Sequence, residues 1–505
     1  MRTLWHVWLL CGLLLLVGCG RESLPRISSA EQLRGHYVST QTGSVFDQLL
    51  AQYVPGAKPY YDTNMPNAVQ SLKMGKCDAI LCDEPVAREL IRTSGGIRIL
   101  SKVAPDRYAY VFSKENAALC EEFSGAIRAL KADGTLAAIE ARWFGADESA
   151  KQPPAELPTG EGRGLIIAAD DPAFRPFSLM KEGRHAGYDV DVIAECCRRL
   201  GYGLRFDAME FASVLPAVVT DKAQLGFSGI SVTEERRRSV LFSEPVYEGG
   251  TVLLVRDAAA EPARPGLLAG LVASFRSTFM EEQRWQMILR GLGVTLLIAL
   301  CSVLSGTLLA MLVCALRRSR LRALSLPAQL YIAMMRGTPI VVVLMILYYI
   351  VFQGLSVDPV PIAILGFALN FAAYSAETFR SGVAAIDPGQ VEAAQAMGFS
   401  RLQIFFCIIL PQATRHALPV YKGDVISTLK STSVVGYIAI QDLTKMSDLI
   451  RSRTYEAFFP LLTTALIYLA LANLMAALIG LMERRIDPQR RRVSLDFLRN
   501  SDTRS

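Results

Sequence analysis

The sequence predicts a multidomain chain, with an α/β region first and an all-α membrane region after it. Three observations carry this. Apolar residues make up 51% of the 505 positions and charged residues only 20%, which is too apolar for an ordinary soluble chain of this length. Most of the long apolar runs lie after residue 285. Before it, between residues 25 and 258, short β-rich runs alternate with amphipathic helical patterns, the signature of a mostly parallel sheet covered by helices. The net charge of +6 is small for the length and gives no reason to expect a nucleic-acid partner.

The chain opens on a targeting pattern over residues 1–19. Arg2 supplies a short positive region, residues 4–17 are apolar, and the run is too short for a comfortable membrane span. Leu16-Val17-Gly18-Cys19 resembles the lipobox of bacterial lipoproteins, which implies lipidation at Cys19; an ordinary or uncleaved signal is the alternative. The ten cysteines lack metal-ligand spacing and are expected to be plain buried thiols. The four histidines, His6, His36, His185 and His416, form no metal-like or triad-like cluster in sequence, so no metal site is expected.

In the α/β region, Leu165-Ile166-Ile167-Ala168-Ala169 reads as a buried strand. Residues 190–200 read as an amphipathic helix stopped by Gly201. Residues 146–163 contain Pro and Gly and read as a linker, as do residues 259–285.

Five apolar stretches come next, at about 288–316, 326–352, 360–379, 418–440 and 458–482, each long enough to cross a hydrocarbon core of about 30 Å. Basic residues gather in 317–322, in the long polar stretch after the third run, and after the fifth, in Arg484-Arg485 and the tail 486–505. The positive-inside rule puts those segments in the cytoplasm and the N-terminal region outside it. The segment carrying Lys445, Arg451 and Arg453 lies outside by the same count and fits the rule poorly.

The long cytoplasmic stretch, residues 387–416, is the most specific feature. It reads Glu392-Ala393-Ala394, then Gly398, then Ile408-Ile409-Leu410-Pro411. Alanines at helical spacing give a smooth face, Gly398 allows a sharp reversal, and Pro411 ends or kinks the helix after it. At every spaced position this resembles the EAA motif of ABC importer permeases. That family docks this helix on a separate ATPase subunit, so Glu392, Ala393, Ala394, Gly398 and Pro411 are the implied coupling residues. Arg336-Gly337-Thr338-Pro339, the block from Ala373 to Val383, and Leu429-Lys430-Ser431-Thr432-Ser433 resemble the polar amino acid (histidine/glutamine-type) branch of the same family. Glu377 and Lys430 fall in or near apolar spans, where ionisable groups are costly. Either they line an amino acid route, or they sit at the interface and pair to hold helices together.

The α/β region resembles the periplasmic amino acid-binding proteins. The matching blocks are Ala169-Asp170-Asp171, Phe174-Arg175-Pro176-Phe177, Gly187-Tyr188-Asp189-Val190-Asp191, Ser231-Val232-Thr233-Glu234-Glu235-Arg236 and Phe242-Ser243-Glu244-Pro245-Val246-Tyr247. These belong to the first half of that family, yet the second-half blocks come earlier, around residues 33–44 and 78–87. The resemblance therefore implies a two-lobed periplasmic-binding-protein fold, circularly permuted. Lobe two with the closing helices spans 25–145, and lobe one spans 164–258. Within these pieces, the chain returns to lobe one at about residue 114 and re-enters lobe two at about residue 251. Two truncated remnants that pair with other copies are the competing arrangement. The permease domain would then be 286–485.

A free amino acid offers a carboxylate and an ammonium, and an arginine fork matches the former. The resemblance assigns that role to Arg236, with Ser231 beside it, and assigns the ammonium to Asp83 and Asp171. It places the side chain between Phe174 and Phe211, and gives Thr42 and Ser44 to the lobe-two turn. Gly229 departs from the family, where a hydroxyl residue is common. The implied partners are an ABC ATPase, a second permease copy, an amino acid and the membrane. No phosphate-binding GxxxxGK[ST] loop occurs, so no cofactor is expected in this chain and ATP belongs to the partner.

Overall fold

The computed structural model describes residues 26–160, 162–257, 267–353, 355, 357–454 and 458–486. Cys19, the signal 1–19 and the tail beyond Ile486 lie outside them. The chain divides into two compact units. One holds the residues up to Tyr108 together with Tyr247–Arg264, and the other holds Ala109–Val246 and everything from Pro265 onward. The chain thus changes unit at 108–109 and again at 246–247, a few residues before each expected position.

The first unit is built on a five-stranded sheet in the order Lys58–Asp62, Tyr37–Gln41, Ala79–Asp83, Tyr247–Arg256, Ile97–Tyr108. The first three strands are parallel, and Tyr247–Arg256 runs antiparallel to both its neighbours. Ala79–Asp83 is buried at every position, as expected for a central strand covered on both faces. Asn64 caps the helix Met65–Lys73 by accepting from the Asn67 amide at 3.0 Å, and Pro66 sits in its first turn. The incoming strand is fastened by Arg256, which reaches Asp78 at 2.9 Å and donates to the Leu72 and Cys77 carbonyls.

The second unit begins with an α/β part. Its sheet runs Gly203–Ala208, Leu165–Asp170, Leu225–Gly226, Val111–Phe112, Leu241–Phe242, with the first three parallel and Val111–Phe112 antiparallel. The expected strand at 165–169 and the helix ended by Gly201 are both present. The helix is Tyr188–Leu200, and Gly201 takes the left-handed φ of +76° that glycine tolerates. The helices Ala117–Ala132 and Thr135–Phe144 belong to this unit. Asp191 accepts from Trp143 Nε1 and from Arg142, both at 2.5 Å, which fixes the second of them on Tyr188–Leu200. The segment 146–160 has no helix or strand, but it is not loose. Its Lys151 and Pro154 carbonyls accept from Lys181 and Arg184.

The helical part comes after it. Part of the second expected linker is a helix, Leu267–Phe279, whose Phe275 and Phe279 pack on Phe459. Trp285–Arg317, Pro359–Ala384 and Phe458–Ile486 correspond to the first, third and fifth apolar stretches. The second is not one straight helix. Arg322–Gly337 and Ile340–Val351 meet at a bend of 110° over Thr338-Pro339, because proline supplies no amide to continue the ladder. The fourth stretch is cut short. Its helix, Leu410–Ser431, gives way to a 3₁₀ turn over Thr432–Ile438 and then to a separate helix, Leu443–Thr454. Among the described residues, three helices are long and apolar enough to cross a membrane, or four if the bent pair counts as one. The eight described cysteines are free, and six of them are buried.

Candidate functional site

The coupling segment folds as its residues dictate. Asp387 accepts from the Gly389 amide at 2.8 Å and starts the helix Pro388–Ala396. Gly398 takes φ +84° and reverses the chain. Ser400 and Gln403 then form a reciprocal cap that starts the next helix. Ala394 is fully buried, while Glu392, Ala393, Gly398 and Pro411 are exposed. Gln412 ties the two arms by donating to Gln390 at 2.6 Å. A π-helical turn over Ile404–Ile409 comes immediately before Leu410 and Pro411, and its wider winding passes the chain through the missing proline amide. Met397, Phe399, Leu402, Phe405, Phe406 and Leu410 are large apolar side chains left exposed around this turn. An exposed apolar cluster of this kind marks a surface covered by another protein or by lipid.

Glu377 lies near the end of Pro359–Ala384 and is doubly paired, to Arg317 at 2.5 Å and Arg380 at 2.9 Å. It borders two adjoining cavities of about 570 and 540 Å³, which share Arg336, Tyr374 and Glu377. Arg336 lies over the Tyr374 ring at 5.2 Å. Lys430 is exposed and lines neither cavity. Asp424, which motif spacing does not single out, does line one of them; it accepts from Thr378 at 3.0 Å and Ser375 at 3.4 Å. The signal that could have found it is an acidic residue inside the fourth apolar stretch.

In the first unit, Tyr37–Gln41 and Ala79–Asp83 are parallel neighbours, so the Thr42–Ser44 turn and Asp83 stand at the same, carboxyl edge of the sheet. Ligand sites of open α/β sheets form at such edges. The Thr42 hydroxyl donates to the Asp62 carbonyl at 3.2 Å, and the Ser44 hydroxyl to the Gln41 carbonyl at 2.6 Å. Asp83 is 1% exposed, and its Oδ1 has no hydrogen-bond partner among the described residues. Burial, with Asp106 nearby, pushes its carboxyl well above the usual range.

The α/β part of the second unit repeats this placement. Asp171 and Phe174 follow the strand Leu165–Asp170, Glu210 and Phe211 follow Gly203–Ala208, and Gly229 and Ser231 follow Leu225–Gly226. Arg236 donates to the Ser231 carbonyl at 3.0 Å from a short helix capped by Thr233. Phe174 is buried and stacks on Phe177 at 5.4 Å, and Phe211 is buried among Val111, Met209 and Val214. Gly229 has a physical reason. Its φ is +63°, and a Cβ there would meet the Phe174 ring at 2.2 Å. Asp171 accepts from the Ala173 amide at 3.1 Å, while its Oδ2 has no hydrogen-bond partner among the described residues. Burial pushes its carboxyl up to about 7, with Lys445 lowering it and Glu210 raising it.

That same lysine belongs to the segment that fitted the charge rule poorly, where it has an acidic partner of its own. Lys445 is 6% exposed and donates to Glu210 at 2.8 Å. Its helix, Leu443–Thr454, is started by Asp442, which accepts from the Thr444 and Lys445 amides. Lys222 makes a second link from the α/β part, to the Phe352 and Leu355 carbonyls.

The family described as the binding-protein-dependent transport system inner membrane component matches residues 302–488. A Bacillus subtilis protein, YckA, named as an amino-acid ABC transporter permease, is 35% identical over 210 residues, covering 41% of this chain and 93% of YckA. The octopine transport system permease protein OccM of Rhizobium radiobacter is 37% identical over 219 residues, covering 41% of this chain and 89% of OccM. A chain from the crystal structure of an amino acid ABC transporter with histidines is 30% identical, with a TM-score of 0.39, and the match covers 44% of this chain and all of that one. Together with the coupling turn and its helices, the family match and the two sequence relatives mean that the chain belongs to the amino-acid ABC transporter permeases, integral inner-membrane transport subunits rather than enzymes.

Proposed function

We propose that this chain imports polar amino acids as a permease fused to its own substrate-binding domain, driven by ATP hydrolysed on a separate subunit. The observation that carries this is the exposed turn from Glu392 to Pro411, with its smooth helix, its Gly398 reversal and its rim of exposed apolar side chains. Five crossings, a homodimeric permease, a binding domain outside the cytoplasm and a lipid on Cys19 belong to the same reading.

The α/β region is the binding domain, circularly permuted within one chain. Support comes from the two changes of unit and from the early helices Ala117–Ala132 and Thr135–Phe144, which belong with the later strands. Arg236 meets the amino acid carboxylate, Ser231, Thr42 and Ser44 assist it, Asp171 and Asp83 meet the ammonium, and Phe174 and Phe211 flank the side chain. In the permease, Arg336, Glu377 and Asp424 border the route. Lys430, exposed and away from the two cavities, has the weaker claim to it.

The reading is tested by reconstituting the full chain in proteoliposomes with its co-purified ATPase. Labelled L-glutamine, L-histidine and L-arginine should enter only with ATP and the ATPase present. Uptake without the ATPase, or uptake of none of the three, overturns it.

A further inference from the structure

A lysine ammonium and the ammonium of a free amino acid are the same chemical group. The structure places a permease lysine on Glu210, with Asp171 as a second acidic neighbour, at the strand ends of the α/β part. Lys445 is not a flexible surface side chain. Asp442 starts its helix, and Gly291 lets the Trp285–Arg317 helix press against the Asp442 carbonyl, which a Cβ at that position would meet at 2.7 Å. Met446 and Leu449 pack beside it in a buried cluster. Its ammonium donates to Glu210 at 2.8 Å. Asp171, 2% exposed, keeps one oxygen without a hydrogen-bond partner among the described residues. Burial works against the Lys445 charge, yet Glu210 and Asp171 outweigh it and hold its pKa above the ordinary value. Asp448, which also faces this group, is itself paired to Arg451 at 2.7 Å.

We propose that Lys445 is a built-in ammonium surrogate. On Glu210 and Asp171 it supplies the positive charge that the substrate's own ammonium brings, so docking of this lobe on the permease loosens its hold on the amino acid. The proposal deepens the amino acid reading above and rests on it. Two ammonium groups on one carboxylate pair repel, and burial of Asp171 strengthens their repulsion as it strengthens each attraction. Linkage makes the effect reciprocal: bound amino acid weakens the Lys445 contact by the same factor. The lobe would therefore hold substrate tightly when undocked and release it where the permease begins.

The test uses the full-length chain in lipid nanodiscs, with tritiated L-glutamine, L-histidine and L-arginine as probes. Lys445→Gln removes the charge, Lys445→Met does so with matched length should the first variant fold poorly, and Lys445→Arg restores it. The neutral variants should bind the preferred probe about tenfold more tightly than the wild type, and Lys445→Arg should return to the wild-type value. ATP-driven uptake by the neutral variants should fall at the same time. Unchanged affinity with reduced uptake would make the contact a docking salt bridge only and overturn the proposal. Weaker binding in the neutral variants overturns it as well. Binding of no probe by the wild type brings down the amino acid reading itself, a result distinct from either of these.

Discussion

Asp189 shows how single buried groups set the behaviour of the α/β region. It is 1% exposed, accepts from the Tyr110 hydroxyl at 3.2 Å, and burial pushes its carboxyl up to about 7 against an ordinary 3.8. The folded state keeps a proton that the unfolded chain gives up, so the stabilisation is complete below 3.8 and is lost as the pH rises through about 7. Thermal unfolding followed from about pH 4 to about pH 8 should show that decline, and Asp189→Asn should flatten it. Arg236→Ala should abolish amino acid binding in a calorimetric titration of the full chain, and retained affinity would remove the carboxylate role. At this scale the sequence was readable where chemistry is local. The buried cysteines and the constraint at Gly229 could be anticipated as type and as anomaly. Partners could not. Arg317 meets Glu377 from another helix, and Glu210 lies 235 residues before Lys445, so neither pairing leaves a trace in the spacing.

Elements were legible wherever one rule dominated. The coupling turn has its cap, its left-handed glycine and its proline all within a short stretch, and they fold as their types require. Gly398→Val should strain the reversal by about 1–2 kcal/mol and reduce recovery of the ATPase in co-purification. The apolar runs marked the membrane helices but not their ends. Hydropathy ran the second stretch straight through Pro339 and could not give a 110° bend, and it carried the fourth run past Ser431, where the helix stops. Gly291 is a further element-level constraint. A leucine there would drive the Trp285–Arg317 helix away from Asp442 at a cost of about 1–3 kcal/mol, displacing the helix that carries Lys445. The thermal midpoint of Gly291→Leu, together with its amino acid affinity, checks this.

At the scale of the whole molecule, the membrane and α/β parts were separable from composition alone, because a hydrocarbon core demands apolar runs that a soluble sheet does not. The contact between them was not, since charge counting reads Lys445 only as a misfit. The proposed fusion would keep the binding domain at an effective concentration of about a millimolar at the permease, so uptake should not depend on how much chain is present per volume outside the membrane. Diluting whole cells or vesicles tenfold should leave the initial rate per protein unchanged.

The wide turn at Ile404–Ile409 has a consequence for tolerance to editing. Each residue of an ordinary helix advances the azimuth by about 100°, and a π turn stores one residue beyond the α count. Excising Cys407 would relax that surplus into regular winding, and the helix on either side would keep its azimuth. Asp424 would then stay beside Ser375 and Thr378, whereas the same excision from the regular turns between Leu410 and Asp424 would swing it about 100° away. The wide turn is thus the one place along this rod where a residue can be lost with the partners on both sides kept.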